Sequence, residues 1–425
     1  MNHRNFPGMM RYSFLFFLLT PAIQCQSPQP QAANLTLPEQ QDTVVNQRVV
    51  TGAEVWLRDS AQNWAGKRIG LVANHTSRVG DRHLADTLLA KGLNLVRVFS
   101  PEHGFRGNAA AGEKVQSETD PATGLPIVSL YGKQRKPQPV HLRDLDLVLF
   151  DMQDVGSRHY TYASTLALVV EACAESGIPV VILDRPNPNG HVVDGPVLEP
   201  RFSSFIGRFP TPIAHGMTLG ELLKMAVAEG WLETKATPDL RVTWCEGYRR
   251  TMRWEDTGLD WVPPSPNLPT AYSAWVYLGT CWLEGTTASE GRGTDSAFVF
   301  SGTPWTANPA FSVGGIQARP ISFTPKTIPG KAVAPKHENQ LCNGYALAGT
   351  GTGKDVFVMG LTLLKVYEKQ APAGYWNENF SRWAGNEKVL ADLKAGVSPE
   401  VMYASWQAEV NLFREKRAPH LHYPD

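Results

Sequence analysis

The sequence predicts an α/β fold: a Rossmann-like, doubly wound, mostly parallel sheet followed by a second, smaller α+β auxiliary domain. Three observations lead there. Short apolar runs alternate with helical stretches through the first half of the chain. Two of those runs, Leu145–Phe150 and Pro179–Leu183, are nearly unbroken Val, Ile and Leu, the pattern of strands covered on both faces. Beyond about residue 266 the alternation stops, and short strand-like pieces precede a helical end.

The elements follow in order. Lys67–Ala73 reads as the first strand. His83–Lys91 reads as a helix stopped by Gly92, since glycine takes the left-handed turn that ends helices. Leu95–Phe99, Pro126–Leu130, Leu145–Phe150, Pro179–Leu183 and Leu240–Trp244 read as further strands. Between them, Tyr162–Ser176 reads as a helix stopped by Gly177. Thr218–Glu229 reads as another, opened by the pair Thr218 and Glu221, which can cap each other's backbone N–H groups. The domain so defined spans 49–265, and the auxiliary domain spans 266–425. In the latter, Phe311–Leu347 carries short strand-like pieces, Lys354–Lys369 has helical spacing, and 388–418 reads as helix. No GxGxxG follows the first strand, so a nucleotide cofactor is not expected.

The 425 residues include 40 Lys+Arg against 40 Asp+Glu. A chain of this length suggests more than one structural unit. The charge balance argues against a nucleic-acid binder, which needs a basic excess. Arg4 and Arg11 flank the start of a short apolar run, Tyr12–Leu19. It is too short to span a bilayer and reads as a signal peptide over 1–24. Cys25 follows it, and 25–48 is a polar, proline-bearing tether. The expectation is an exported protein, periplasmic or held to the membrane through a lipidated Cys25, possible membrane contact being limited to that anchor. Cys173, Cys245, Cys281 and Cys342 form no CxxC pair, so buried thiols are expected rather than zinc. No cofactor and no metal site are expected, and the sequence is silent on oligomeric state.

In a doubly wound sheet, ligands bind at the carboxyl ends of the strands. The residues there are Asn74-His75-Thr76-Ser77, Ser100–Gly107, Asp151–Arg158 and Asp184–Pro188. These stretches hold most of the polar residues of this half, so they should converge on a site.

The strings SPEHGFRG (100–107), LYGKQRKP (130–137), FDMQDVGSRHYTYASTL (150–166), LDRPNPNG (183–190), HGMTLGEL (215–222), PSPNLPT (264–270) and EGTTASEGRGT (284–294) stand in one order. In that order they resemble the exo-β-N-acetylmuramidase family, formerly a domain of unknown function, over roughly residues 50–420. The resemblance implies an active site between a Rossmann-like domain and an auxiliary domain. It implies release of terminal N-acetylmuramic acid from the non-reducing ends of peptidoglycan fragments. The alternative is a non-catalytic muropeptide- or sugar-binding lipoprotein. One departure is Val193-Asp194-Gly195-Pro196, where the family pattern has Glu at the position of Asp194.

Glycosidic cleavage needs a proton for the leaving oxygen and a second carboxylate that acts at, or near, the anomeric carbon. Glu102 is the first candidate for general acid/base, because it follows a strand and precedes a glycine turn; the resemblance also points to it. Glu171 and Glu290 are the candidates for the second carboxylate. For Glu171 the competing reading is a solvent-facing helix position, and for Glu290 it is a loop-structuring carboxylate. Glu284 shares the second ambiguity. Asp151, Gln153 and Asp154 are candidates for sugar hydroxyls, or for turn chemistry. Tyr160 and Tyr162 could stack on a pyranose or pack the core. Arg158, Arg185 and Arg292 are candidate partners of the lactyl carboxylate. Asn74, His103, Arg106, Asp184, His215 and Asn267 complete the expected substrate-binding set.

Overall fold

The computed structural model describes residues 48–107, 118–306 and 309–425. The expected signal peptide, Cys25 and the tether up to residue 47 lie outside the described residues. The elements begin with α1 (Gly52–Asp59), β1 (Ile69–Ala73), a small hairpin of β2 (Arg78–Val79) and β3 (Arg82–His83), α2 (Leu84–Ala90) and β4 (Leu95–Ser100). Next come β5 (Glu118–Thr119), β6 (Pro126–Ser129), α3 (Pro139–Leu142), β7 (Leu147–Asp151), α4 (Tyr162–Ser176), β8 (Val180–Leu183), α5 (Leu219–Ala228) and β9 (Leu240–Thr243).

These strands make a seven-stranded sheet in the order β5-β6-β4-β1-β7-β8-β9. Every pairing is parallel except that of the two-residue edge strand β5 with β6. The alternation of faces along a strand sorts the core. In β7, Leu147 and Leu149 pack under Trp56 of α1 and Leu84 and Leu88 of α2, while Val148 and Phe150 pack against α4 and α5. The doubly wound architecture expected from the apolar runs is the one observed.

The second half holds α6 (Ala271–Thr280), β10 (Phe300–Thr303), β11 (Phe311–Val313), β12 (Ile316–Phe323), β13 (Cys342–Gly349) and α7 (Gly353–Glu368). Four short helices follow: α8 (Phe380–Ala384), α9 (Glu387–Lys394), α10 (Pro399–Ser405) and α11 (Gln407–Arg417). The strands form an antiparallel sheet in the order β10-β13-β12-β11. Helices α6 and α7 cross at Gly279 and Gly360, where any Cβ would strike the facing helix backbone. The core over α4 and α5 continues without a break into α6, α7 and this second sheet. The two domains therefore share one hydrophobic interior.

The C-terminus returns to the first sheet. The Tyr423 hydroxyl donates to Asp184 (2.7 Å), and the His422 and Tyr423 amides donate to Glu221 (2.8 and 3.2 Å). Arg250 is almost fully buried and grips the same Glu221 carboxylate at 2.7 and 3.0 Å. All four described cysteines are buried and unbridged. Among the described residues no helix is long and apolar enough to cross a membrane.

Candidate active site

Strand β4 ends at Ser100, and Pro101-Glu102-His103-Gly104 follows. His103 is buried and takes a left-handed backbone (φ 71°), and Gly104 does the same (φ 76°). A non-glycine residue holds that conformation only where its surroundings impose it. The tight turn leaves the preceding Glu102 half-exposed on the wall of a cleft of about 310 Å³. Thr161, at the start of α4, donates its hydroxyl to Glu102 at 2.9 Å. The Tyr131 hydroxyl, just past β6, also bonds to Glu102. Burial, and then the Glu102 charge, push the Tyr131 phenol above its usual range, so it keeps its proton to donate.

The second half of the chain lines the same cleft with Tyr277, Glu284, Arg292, Phe298, Arg382 and Trp383. Arg292 divides its guanidinium between two carboxylates, Glu284 at 2.8 Å and Glu290 at 3.1 Å. Its charge lies 5.2 Å from the centre of the Phe298 ring. Burial raises the Glu284 carboxyl, and Arg292 opposes that rise. Burial acts the same way on Glu290, but Lys336, 2.9 Å away, and Arg292 overcome it and hold Glu290 below the usual range. Glu284 lines the cleft; Glu290 sits behind it, 3% exposed.

Aromatic rings fill much of the remaining wall. Tyr160 and Tyr162 meet edge to face at 4.8 Å. Tyr162 is fixed by Asn74, which donates to its hydroxyl at 2.8 Å, and by its own donation to the Pro264 carbonyl at 2.9 Å. His159 stacks on Trp383 (5.6 Å between centres) and contacts its carbonyl oxygen at 2.6 Å. Burial pushes the His159 imidazole down to about 3, so it is neutral. Among the described residues no cluster of His, Cys, Asp and Glu has the makings of a metal site.

The structure brings Glu102, His103, Tyr160, Tyr162, Glu284 and Arg292 to one cleft. Other expected residues are occupied elsewhere. Glu171 is 1% exposed, and its carboxylate binds Arg208 (2.7 Å) and the Glu233 amide (2.8 Å) beneath the surface. The helix face that carries Glu171 packs inward rather than facing solvent. Asp151 and Arg185 form a two-pronged buried pair at 2.5 and 2.9 Å. Gln153 is tied by its amide to the carbonyls of Asp154 and Pro186. Asp154 accepts from the Gly156 amide (2.7 Å), and burial pushes its carboxyl up to about 7. Asp184 holds the start of α5 through the Gly220 amide.

Arg158 spends its guanidinium on the carbonyls of Pro196, Thr211 and Ala384. Arg106 bridges Asp86 and Asp120. Buried His215 accepts from the Met217 amide (3.2 Å), and Asn267 donates to the Lys331 carbonyl (2.8 Å) beside the cleft residues Ser265 and Leu268. Asp194 takes Tyr403, Trp406 and Gln407 as donors and so anchors α10 and α11. The departure from the family pattern therefore falls at a packing position.

Tyr131, Thr161, Tyr277 and Trp383 enter the cleft without having been singled out by sequence. For Tyr131 the signal was present, since it follows a strand as Glu102 does. Trp383 has no such marker.

A doubly wound sheet and a cleft lined from both domains by aromatic rings and by the carboxylates of Glu102 and Glu284 fit a glycoside hydrolase. Family models of the N- and C-terminal parts of exo-beta-N-acetylmuramidase NamZ match residues 69–272 and 275–423. The peptidoglycan beta-N-acetylmuramidase NamZ of Bacillus subtilis is 37% identical over 407 residues, which cover 92% of this chain and 95% of that one. Two crystal structures of DUF1343 family proteins from Bacteroides fragilis superpose with TM-scores of 0.77 and 0.78. They are 36% and 28% identical to this chain and cover 89% and 88% of it, and 99% of each of their own chains. The chain belongs to the exo-β-N-acetylmuramidase NamZ family.

Proposed function

We propose that the chain removes terminal N-acetylmuramic acid from the non-reducing end of peptidoglycan fragments, with Glu102 as general acid/base. The observation that carries the assignment of Glu102 is its setting: a half-exposed carboxylate on the cleft wall, held by the neutral hydroxyls of Thr161 and Tyr131. These hydroxyls orient the carboxylate at the cleft, where it can carry a proton to a leaving oxygen and take one from water. Glu284 is the second carboxylate. It lines the same cleft, where it can orient the 2-acetamido group of the sugar as that group attacks the anomeric carbon. Trp383 supplies a ring face for the pyranose, and the buried Tyr160 and Tyr162 back the same cleft. An exported location, as expected from residues 1–24, agrees with a cell-wall substrate.

The test is turnover of a chromogenic β-N-acetylmuramide and of a disaccharide capped by muramic acid. Wild-type protein releases the terminal sugar, and Glu102→Gln does not. Tight binding of the sugar with no turnover by the wild type would instead select the binding-protein reading.

A further inference from the structure

A muramic acid sugar brings its own anion into the cleft, the carboxylate of the lactyl ether. The cations expected from sequence to meet it are already engaged. Arg158 donates to three carbonyls, Arg185 is paired with Asp151, and Arg292 is shared by Glu284 and Glu290. His159 is neutral. Two guanidinium groups remain on the cleft wall, Arg135 from the first domain and Arg382 from the second. Both are exposed, and among the described residues neither side chain has an acidic partner. Arg135 lies over the ring of Phe205, 4.3 Å from its centre. Stacking of this kind fixes the plane of a guanidinium and leaves its N–H edge open to a carboxylate. Arg382 precedes Trp383, whose ring is held by His159.

We propose that Arg135 and Arg382 hold the lactyl carboxylate of the terminal muramic acid, and so separate this sugar from N-acetylglucosamine. The proposal rests on the muramidase reading. It assigns the charged contact to two specificity residues on the wall of one cleft, one from each domain. Since each is exposed and lacks an ion pair, the fold does not depend on them.

The experiment compares wild type, Arg135→Gln, Arg382→Gln and the double variant on three chromogenic substrates. These are the β-N-acetylmuramide, its lactyl N-methylamide and the β-N-acetylglucosaminide. Wild type should favour the free acid. Each single variant should lose about tenfold in kcat/KM on the free acid, mainly through KM, as befits one charge-assisted hydrogen bond in a solvent-open cleft. The same variants should stay within about twofold on the N-methylamide, and the double variant should no longer distinguish the two substrates. Equal losses on acid and amide, or an unchanged preference in the double variant, would overturn the proposal. Calorimetric binding of free N-acetylmuramic acid and N-acetylglucosamine to the same proteins gives the discrimination without turnover. An inactive wild type would sink the muramidase reading, while the binding ratio would still decide the role of the arginines.

Discussion

The loop after β4 and the loops after β7 and β8 leave the same carboxyl edge of the sheet, with β1 between them, and all are rich in charge. They differ in how that charge is used. After β7 and β8, Asp151 closes on Arg185 and Gln153 closes on backbone carbonyls. After β4, Glu102 meets hydroxyls and faces an open cleft. Buried polar groups must be paired because an unpaired one costs stability. A cluster of polar residues therefore marks where a sheet edge is elaborate. Which of those residues reaches a cavity is a separate matter, decided by the tertiary fold.

The contrast can be broken by exchanging readouts between the two loops. Glu102→Gln should cut turnover by about 10²–10⁴-fold, the usual contribution of general acid/base catalysis, and change stability by less than about 1 kcal/mol. Asp151→Ala should do the reverse for stability and cost about 3–5 kcal/mol, because it strands a buried guanidinium. Chemical denaturation and initial-rate assays on the two variants check both statements. A stable Asp151→Ala protein would show that the pair is not structural.

A smaller effect sharpens the comparison through pH. The folded protein holds the Asp154 proton up to about pH 7 because burial penalises the carboxylate, whereas an unfolded chain releases it near 4. The stability this gives is fully present below about pH 4 and is lost as pH rises through about 7. Thermal melts between pH 4 and 8 should show wild type falling relative to Asp154→Asn across that window. A rise instead of a fall would refute the assignment. Smaller still, Glu171→Gln should cost about 1–3 kcal/mol through its bonds to Arg208 and the Glu233 amide. Its kcat should stay within about twofold of wild type. A large loss of kcat would restore Glu171 to the chemistry.

Much of the fold was legible because its signals are local. The helix Tyr162–Ser176 ends where Gly177 takes a left-handed turn, and Thr218 caps Glu221 at the head of α5. Helix α6 was not found, because Ala271–Thr280 is buried over nearly all its length and shows no polar face to set a period. Helix α1 was missed despite the Thr51–Glu54 capping box that opens it. At the site, the strand end and the glycine turn put Glu102 first, but Asp151 and Gln153 stayed among the expected substrate contacts. Sorting them depends on partners far apart in sequence, such as Arg185 for Asp151 and Thr161 for Glu102. Glu171 shows the same limit, since Arg208 and residue 233 are brought to it only by the tertiary fold.

The tail that threads back to Asp184 and Glu221 makes the two halves of the molecule depend on each other. Residues 422 and 423 complete hydrogen bonds at the head of a helix from the first half. Arg250 bonds the Tyr423 carbonyl as well as the Glu221 carboxylate. Loss of that tail would leave the buried Glu221–Arg250 pair short of partners, so damage at one extremity of the molecule would be felt beneath the parallel sheet.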